Sequence, residues 1–251
     1  MGLVVTEQQG RVALLKLSRG VTNALSAELV ADLSKALDVV AQDPALQALI
    51  LTSASAKFFS IGFDIPGLFA VDREEFAVFY RAINQLCLDL YTLPKPTVAA
   101  IGGHATAGGC ILALCCDYRY ISEGRKLMGL NEVKLGVPVP YLADCIVRQL
   151  VGARHAREIM EGGEFYAPAE LLCLGLVDKV LPPDQVLPGS VEQAQRLGSM
   201  PAAAYAMIKQ NRVGPVAAEV AARAQEQADR FVELWYSDEV RLRLEQAMVK
   251  F

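Results

Sequence analysis

Two apolar-rich segments, 3–8 and 11–17, flank Gln9-Gly10 and predict a β-hairpin at the start of the chain. Ser26 then stands as an N-cap before Leu29, Val30, Leu33, Leu37 and Val40, whose spacing puts them on one face of a helix ending near Asp43-Pro44. QALILTS (47–53) reads as a buried strand, 54–67 as a loop containing Gly62 and Pro66, and Asp72 to Leu93 as a helix stopped by Pro94 and Pro96. TVAAI (97–101) is a further buried strand. A glycine loop, a helix over 108–116 and the strand YRYIS (118–122) follow it.

LGLVDKVL (174–181) predicts a last strand. From about Pro188 the chain turns Ala-, Glu-, Gln- and Arg-rich with helical periodicity, broken at Pro201 and Pro215. Strands alternating with helices predict an α/β protein with a mostly interior sheet. The expected division is a core over 1–190 and a helical region over 191–251. Residues 97–116 carry no Lys, Arg, Asp or Glu and imitate a membrane span, but four glycines and a histidine divide them into strand, loop and short helix.

Composition narrows the function classes. Of 251 residues, 53 % are hydrophobic and 21 % charged, which describes a globular chain with a substantial core. The formal charge of −4, with Lys and Arg scattered singly, argues against a nucleic-acid partner. Two histidines are too few for a His-rich metal site, and the six cysteines show no CxxC pair or ligand spacing, so no metal is expected. Cysteines within apolar runs, and an N-terminus without a basic region or long apolar stretch, point to free thiols in a cytoplasmic protein.

Three segments carry candidate chemistry. In HATAGGCILALCCDYRY (104–120), Gly108 and Gly109 open a helix, so their N–H groups and that of Cys110 fall in its unpaired first turn, where an anionic oxygen is stabilised. Tight strand–helix packing would also explain the glycines. KFFSIGFDIPGL (57–68) leaves an apolar strand through a second glycine turn and offers the N–H of Phe63. In MGLNEVKLGVPVP (128–140), Glu132 sits among apolar residues, an environment that raises a carboxyl pKa and suits a general base. A capping or surface glutamate is the alternative.

Taken together, FSIGFDI, KPTVAAIGGHATAGGCILALCCDYRY and GLNEVKLGVPVP, in this order and spacing, resemble the enoyl-CoA hydratase/isomerase (crotonase) superfamily. The likeness extends to FVELWYSDEVRLRLEQAMVKF at the end of the chain, and HATAGGC-x-LALCCDYR with GLNE-x-x-LG is most similar to Δ3,Δ2-enoyl-CoA isomerases of fatty-acid β-oxidation. The resemblance implies a crotonase fold of repeated β-β-α units with a C-terminal helical region that builds a homotrimer or a dimer of trimers. It implies an acyl-CoA thioester as substrate, coenzyme A arriving as part of it, and no separate cofactor. The N–H groups of Phe63 and Gly108 would form an oxyanion hole and Glu132 would be the catalytic carboxylate. Ser60, Ile61, Gly62, Asp64 and Ile65, with Gly109 and Ile111, would line the acyl-CoA path.

Ile111 separates the activities. It follows Gly108 by about one helical turn and so faces the same cavity, at a place where the family's hydratases carry Glu. Two carboxylates manage the water that a hydratase adds, whereas a double-bond shift needs one base. An isomerase is therefore expected, unless Asp64 or Asp144 supplies a second acid. The rivals are a hydratase, a specialised crotonase such as a decarboxylase, and a non-catalytic acyl-CoA-binding homologue. Ile61 stands where relatives usually have alanine, and Phe63 is bulky for its place, so a narrowed acyl channel is expected. His104 is expected to be structural and His155 to lie on the surface.

Overall fold

The computed structural model describes residues 2–248. Strands β1 (Val4–Gln9) and β2 (Val12–Leu17) form the expected antiparallel hairpin, with Gln9 opposite Val12 and Gly10 at φ +61° in the turn. Next to them, β3 (Ala48–Ser53), β5 (Thr97–Ile101), β7 (Tyr118–Ser122) and β10 (Lys179–Leu181) add in parallel, giving the order β1-β2-β3-β5-β7-β10. A second sheet of short strands has the order β4 (Phe58–Ser60), β6 (His104–Thr106), β8 (Met128–Gly129), β9 (Phe165–Tyr166).

Three times the chain visits the large sheet and then the small one before turning into helix. β3 and β4 precede α2 (Ile65–Ala70) and α3 (Arg73–Thr92), β5 and β6 precede α4 (Gly108–Leu114), and β7 and β8 precede α5 (Tyr141–Gly162). These are the expected stacked β-β-α units. Their effect is to line up the C-terminal ends of β4, β6 and β8 along one edge.

Period-two alternation divides the apolar residues of the large sheet between two cores. Leu15, Leu49, Leu51, Ala99 and Ile101 face the main core with α1 (Ala27–Gln42) and α3. Val12, Leu14, Ile50, Val98 and Ala100 face the other way, onto Val186 and Ala194 of α7 (Val186–Gly198). The division at 190/191 therefore falls inside a helix packed on the sheet. Ser26 caps α1 by accepting from the Leu29 N–H, and Asp72 caps α3 by accepting from Glu74 and Glu75.

Three expectations are corrected. The segment 54–67 is not all loop, since it contains β4 and the first turn of α2. Of 174–181 only the last three residues are strand: Leu174 ends α6 (Pro168–Leu174), Gly175 at φ +79° caps it, and the Leu176 N–H turns back to the Leu171 carbonyl. Leu176 and Val177 are apolar because they are buried in the core, not because they pair in the sheet. Pro215 does not end a helix either. α8 (Ala202–Trp235) runs through it, with Val213 and Val216 buried on either side, so packing outweighs the lost hydrogen bond. The last helix, α9 (Asp238–Met248), brings the chain back against α2 and the turn over 132–135, and the final three residues of the C-terminal stretch lie outside the described residues.

Two devices hold α8. The Asp117 carboxylate accepts from the Thr97 N–H at 2.9 Å and from Lys209 Nζ at 2.8 Å, and also pairs with Arg212. Further along, Phe76 stacks on Trp235 with centroids 4.4 Å apart and Tyr80 on Phe231 at 4.0 Å, tying α3 to the C-terminal turns of α8. Among the described residues no helix is long and apolar enough to cross a membrane.

Candidate active site

The edge where β4, β6 and β8 end opens into a cavity of about 830 Å³. Its near wall is the turn after β4. There Leu25 and Phe63 form an isolated parallel bridge, in which the Leu25 N–H donates to the Gly62 carbonyl at 2.8 Å and the Asp64 N–H to the Leu25 carbonyl at 3.1 Å. The Phe63 N–H is left facing away from that bridge, without an acceptor among the described residues.

The second wall is the start of α4. Ala107, the residue before it, is held at φ 49° and ψ −123°, a conformation rare outside glycine. Two bonds anchor this corner: the Ala107 N–H donates to the Gly129 carbonyl of β8 at 2.9 Å, and Thr106 Oγ1 donates to the Ile61 carbonyl at 2.9 Å. Gly108, the first residue of α4, lies on the cavity wall, and its N–H has no carbonyl of a previous turn to bond. Gly109 is bare because of the backbone beside it. A Cβ there would stand 2.2 Å from the Ser60 carbonyl oxygen, so β4 and α4 could not approach. Tight packing thus accounts for Gly109, and it bears on Gly108 as well, where a Cβ would meet Leu25 Cδ1 at 3.0 Å and the Gly62 Cα at 3.3 Å.

Glu132 begins a short 3-10 turn, 132–135, which Gly136 closes at φ +83°. Its side chain borders the cavity and is 6 % exposed, and Oε2 has no partner among the described residues. Burial pushes this carboxyl up to about 7, against the opposing backbone N–H groups of Glu132 and Asn131. A base with that affinity is ready to take a proton near neutrality and to give it back.

The expected site residues do not all reach the cavity. Ile61, Phe63, Asp64, Ile65, Gly108, Ile111 and Glu132 line it. Ser60, Gly62 and Gly109 stand behind the wall: the Ser60 hydroxyl donates its single proton to the Asn23 carbonyl at 2.8 Å and accepts from the Gly62 N–H. Asp64 is ion-paired with Arg19, and Asp144 lies on α5 outside the cavity, paired with Arg148 at 2.6 Å. His104 Nδ1 accepts from the Leu127 N–H at 3.1 Å, and His155 is exposed. Ile111 is 5 % exposed and fills the floor between α4 and α5.

Five lining residues come from the far end of the chain, Gln246 and Ala247 of α9 among them. Phe231 and Trp235 of α8 and Arg243 of α9 close the cavity, and α9 lies against the Glu132 turn so tightly that a Cβ on Gly136 would meet Val240 at 3.0 Å. No local motif announces them. Trp235 is the chain's single tryptophan, and its Nε1 is buried without a partner among the described residues.

With this geometry goes a match over residues 7–251 to the family described as enoyl-CoA hydratase/isomerase. The chain belongs to that family. Among its relatives, the mouse mitochondrial enoyl-CoA delta isomerase 1 is 37 % identical over 185 residues, which is 73 % of this chain and 64 % of the mouse protein. The chain therefore spans somewhat less than two thirds of the length of that isomerase. A crotonyl-CoA hydratase of Syntrophomonas wolfei is 31 % identical over 77 % of this chain and 75 % of its own. The crystal structure of human mitochondrial delta3-delta2-enoyl-CoA isomerase superposes with a TM-score of 0.96 at 28 % identity, covering 99 % of this chain and 97 % of that one. The fold is that of the crotonase superfamily.

Proposed function

We propose that the protein is a Δ3,Δ2-enoyl-CoA isomerase acting through Glu132. The thioester oxygen of a 3-enoyl-CoA accepts from the N–H groups of Phe63 and Gly108. Glu132 removes a proton from C2, the charge spreads into a dienolate held by those two donors, and the same carboxyl returns the proton to C4, leaving the double bond between C2 and C3. Loss of one such donor costs ~10²–10³ in rate. One proton leaves and one returns, so the cycle needs no metal or redox group.

The observation that carries this reading is the unequal state of the two carboxylates on the cavity wall. Glu132 Oε2 is buried and unpaired, whereas Asp64 is held by Arg19. Ile111 occupies the place of a second acid on α4, which leaves water without the pair of groups that hydration requires. The test is to incubate the protein with 3-enoyl-CoA and with trans-2-enoyl-CoA and to identify products by mass and NMR. Conversion of the first to trans-2-enoyl-CoA with little hydration supports the reading; rapid hydration of the second without isomerisation of the first overturns it.

The same reading makes the assembly a homotrimer or a dimer of trimers. In its favour are Met207 and Ile208 on α8, exposed at 70 % and 71 %, more apolar surface than an isolated helix leaves in water. A stable monomer in sedimentation at micromolar concentration would count against it.

A further inference from the structure

Behind Phe63, Gly108, Ile111 and Pro140 lies a second, small space of about 10 Å³, and those four residues border both it and the large cavity. Its far side is one face of α3, where Tyr80, Ile83 and Cys87 recur at helical spacing, together with Leu142 and Ala143 at the start of α5. Each of these five is at most 5 % exposed. A space of that size takes about one water-sized group. Its walls are braced, since Tyr80 stacks on Phe231 at 4.0 Å and cannot swing aside without breaking the contact between α3 and α8.

We propose that this inner space is the blind end of the acyl pocket and that Ile111 sets the chain length, so that the site takes short acyl thioesters and keeps out carbons beyond about the sixth. The inference rests on the reading above, in which the thioester oxygen lies between Phe63 and Gly108. With C1 there and C2 to C4 passing Glu132, the next carbons meet Ile111 and the face of α3 behind it. Ile111 then has two consequences at once: it withholds a second acid and it shortens the pocket. Ile83, across the gap, limits the same tail from the opposite side.

The test uses the full chain and straight-chain saturated acyl-CoA thioesters from butanoyl to dodecanoyl, whose binding is read by calorimetry and needs no turnover. For the unaltered protein, affinity should rise about fourfold per added methylene while the tail fills the pocket. It should then level off or fall beyond hexanoyl. Ile111→Val and Ile83→Val each remove one carbon from the wall, a change mild enough to keep the fold, and should move the break outward by about one carbon. Affinity rising steadily to dodecanoyl, or an unmoved break in both variants, overturns the proposal. A break that moves as expected in a protein that does not isomerise 3-enoyl-CoA would refute the isomerase reading and leave the pocket standing. Absence of acyl-CoA binding would refute both.

Discussion

Gly62 lies so close to the start of α4 that a Cβ on it would stand 3.0 Å from the Gly108 nitrogen and 3.0 Å from the Ala107 Cβ. The turn that carries Phe63 and the start of α4, which hold the two proposed donors, can touch because Gly62, at φ +98°, has no side chain and adopts a conformation other residues resist. Gly62→Ala is therefore expected to separate the donors. Isomerase turnover should fall by ~10², as for the loss of one oxyanion donor, and unfolding by denaturant should show a cost of about 1–3 kcal/mol. An alanine variant with full turnover would mean that the Phe63 and Gly108 donors are not used together.

Glu132 makes turnover and stability depend on pH in opposite directions. Its carboxyl must be ionised to accept the C2 proton, so kcat/KM should rise with pH through about 7 and then level off. Stability runs the other way. The folded pKa of about 7 lies above the ordinary 4.5, so between those values the folded protein binds more protons than the unfolded chain and stability falls as pH rises. Above pH 7 the ionised Glu132 costs on the order of 3 kcal/mol. Glu132→Gln should abolish most turnover and, in denaturation at pH 8, be more stable than the parent, with the difference shrinking toward pH 4. A Gln variant no more stable at pH 8 than at pH 4, relative to the parent, would show that the carboxyl is not desolvated.

Trp235 offers a signal that needs no catalysis. As the only tryptophan, packed on Phe76 and bordering the cavity, it should change its emission when an acyl-CoA enters. Trp235→Phe keeps an aromatic ring against Phe76 and should remove the signal with little loss of fold. Emission that stays constant while calorimetry reports binding would place the ligand away from the end of α8.

The Asp117 cluster should matter for stability alone. Lys209 is 3 % exposed and pairs with Asp117 at 2.8 Å, remote from the cavity. Lys209→Met leaves Asp117 with Arg212 and Thr97 and should cost about 3 kcal/mol, the low end for breaking a buried pair. The melting temperature should fall while turnover per folded molecule at low temperature is retained. A parallel loss of turnover would tie α8 to the chemistry as well as to the fold.

Elements whose residues sit in one periodic environment were legible from the chain: α1 and α3 from their caps and apolar stripes, β3 and β5 from uninterrupted burial. Signals failed where a residue's partner is distant. Leu176 and Val177 resemble a strand because a core residue and a strand residue are apolar alike, and Pro215 resembles a stop because its own neighbours do not reveal what α8 packs against. The place of Ile111 on the cavity wall followed from its spacing after Gly108 and that of Glu132 from the family resemblance, whereas the same resemblance put Ser60, Gly62 and Gly109 along the acyl-CoA path and they stand behind the wall.

The sequence by itself determined the alternation of long buried strands with helices, the two glycine turns, and the presence of a glutamate among apolar neighbours at 132, since each depends on residues within a few positions of one another, whereas the β-β-α repeat came from the family resemblance. Only the tertiary structure decided that Asp64 is held by Arg19, that Asp144 lies elsewhere, that Ala107 takes a positive φ before α4, and that α8 and α9 return to close the cavity with Phe231, Trp235 and Arg243. These are pairings across up to two hundred residues of chain. Local preference does not encode them; they are selected by which buried surfaces and charges can be satisfied together once the chain has folded.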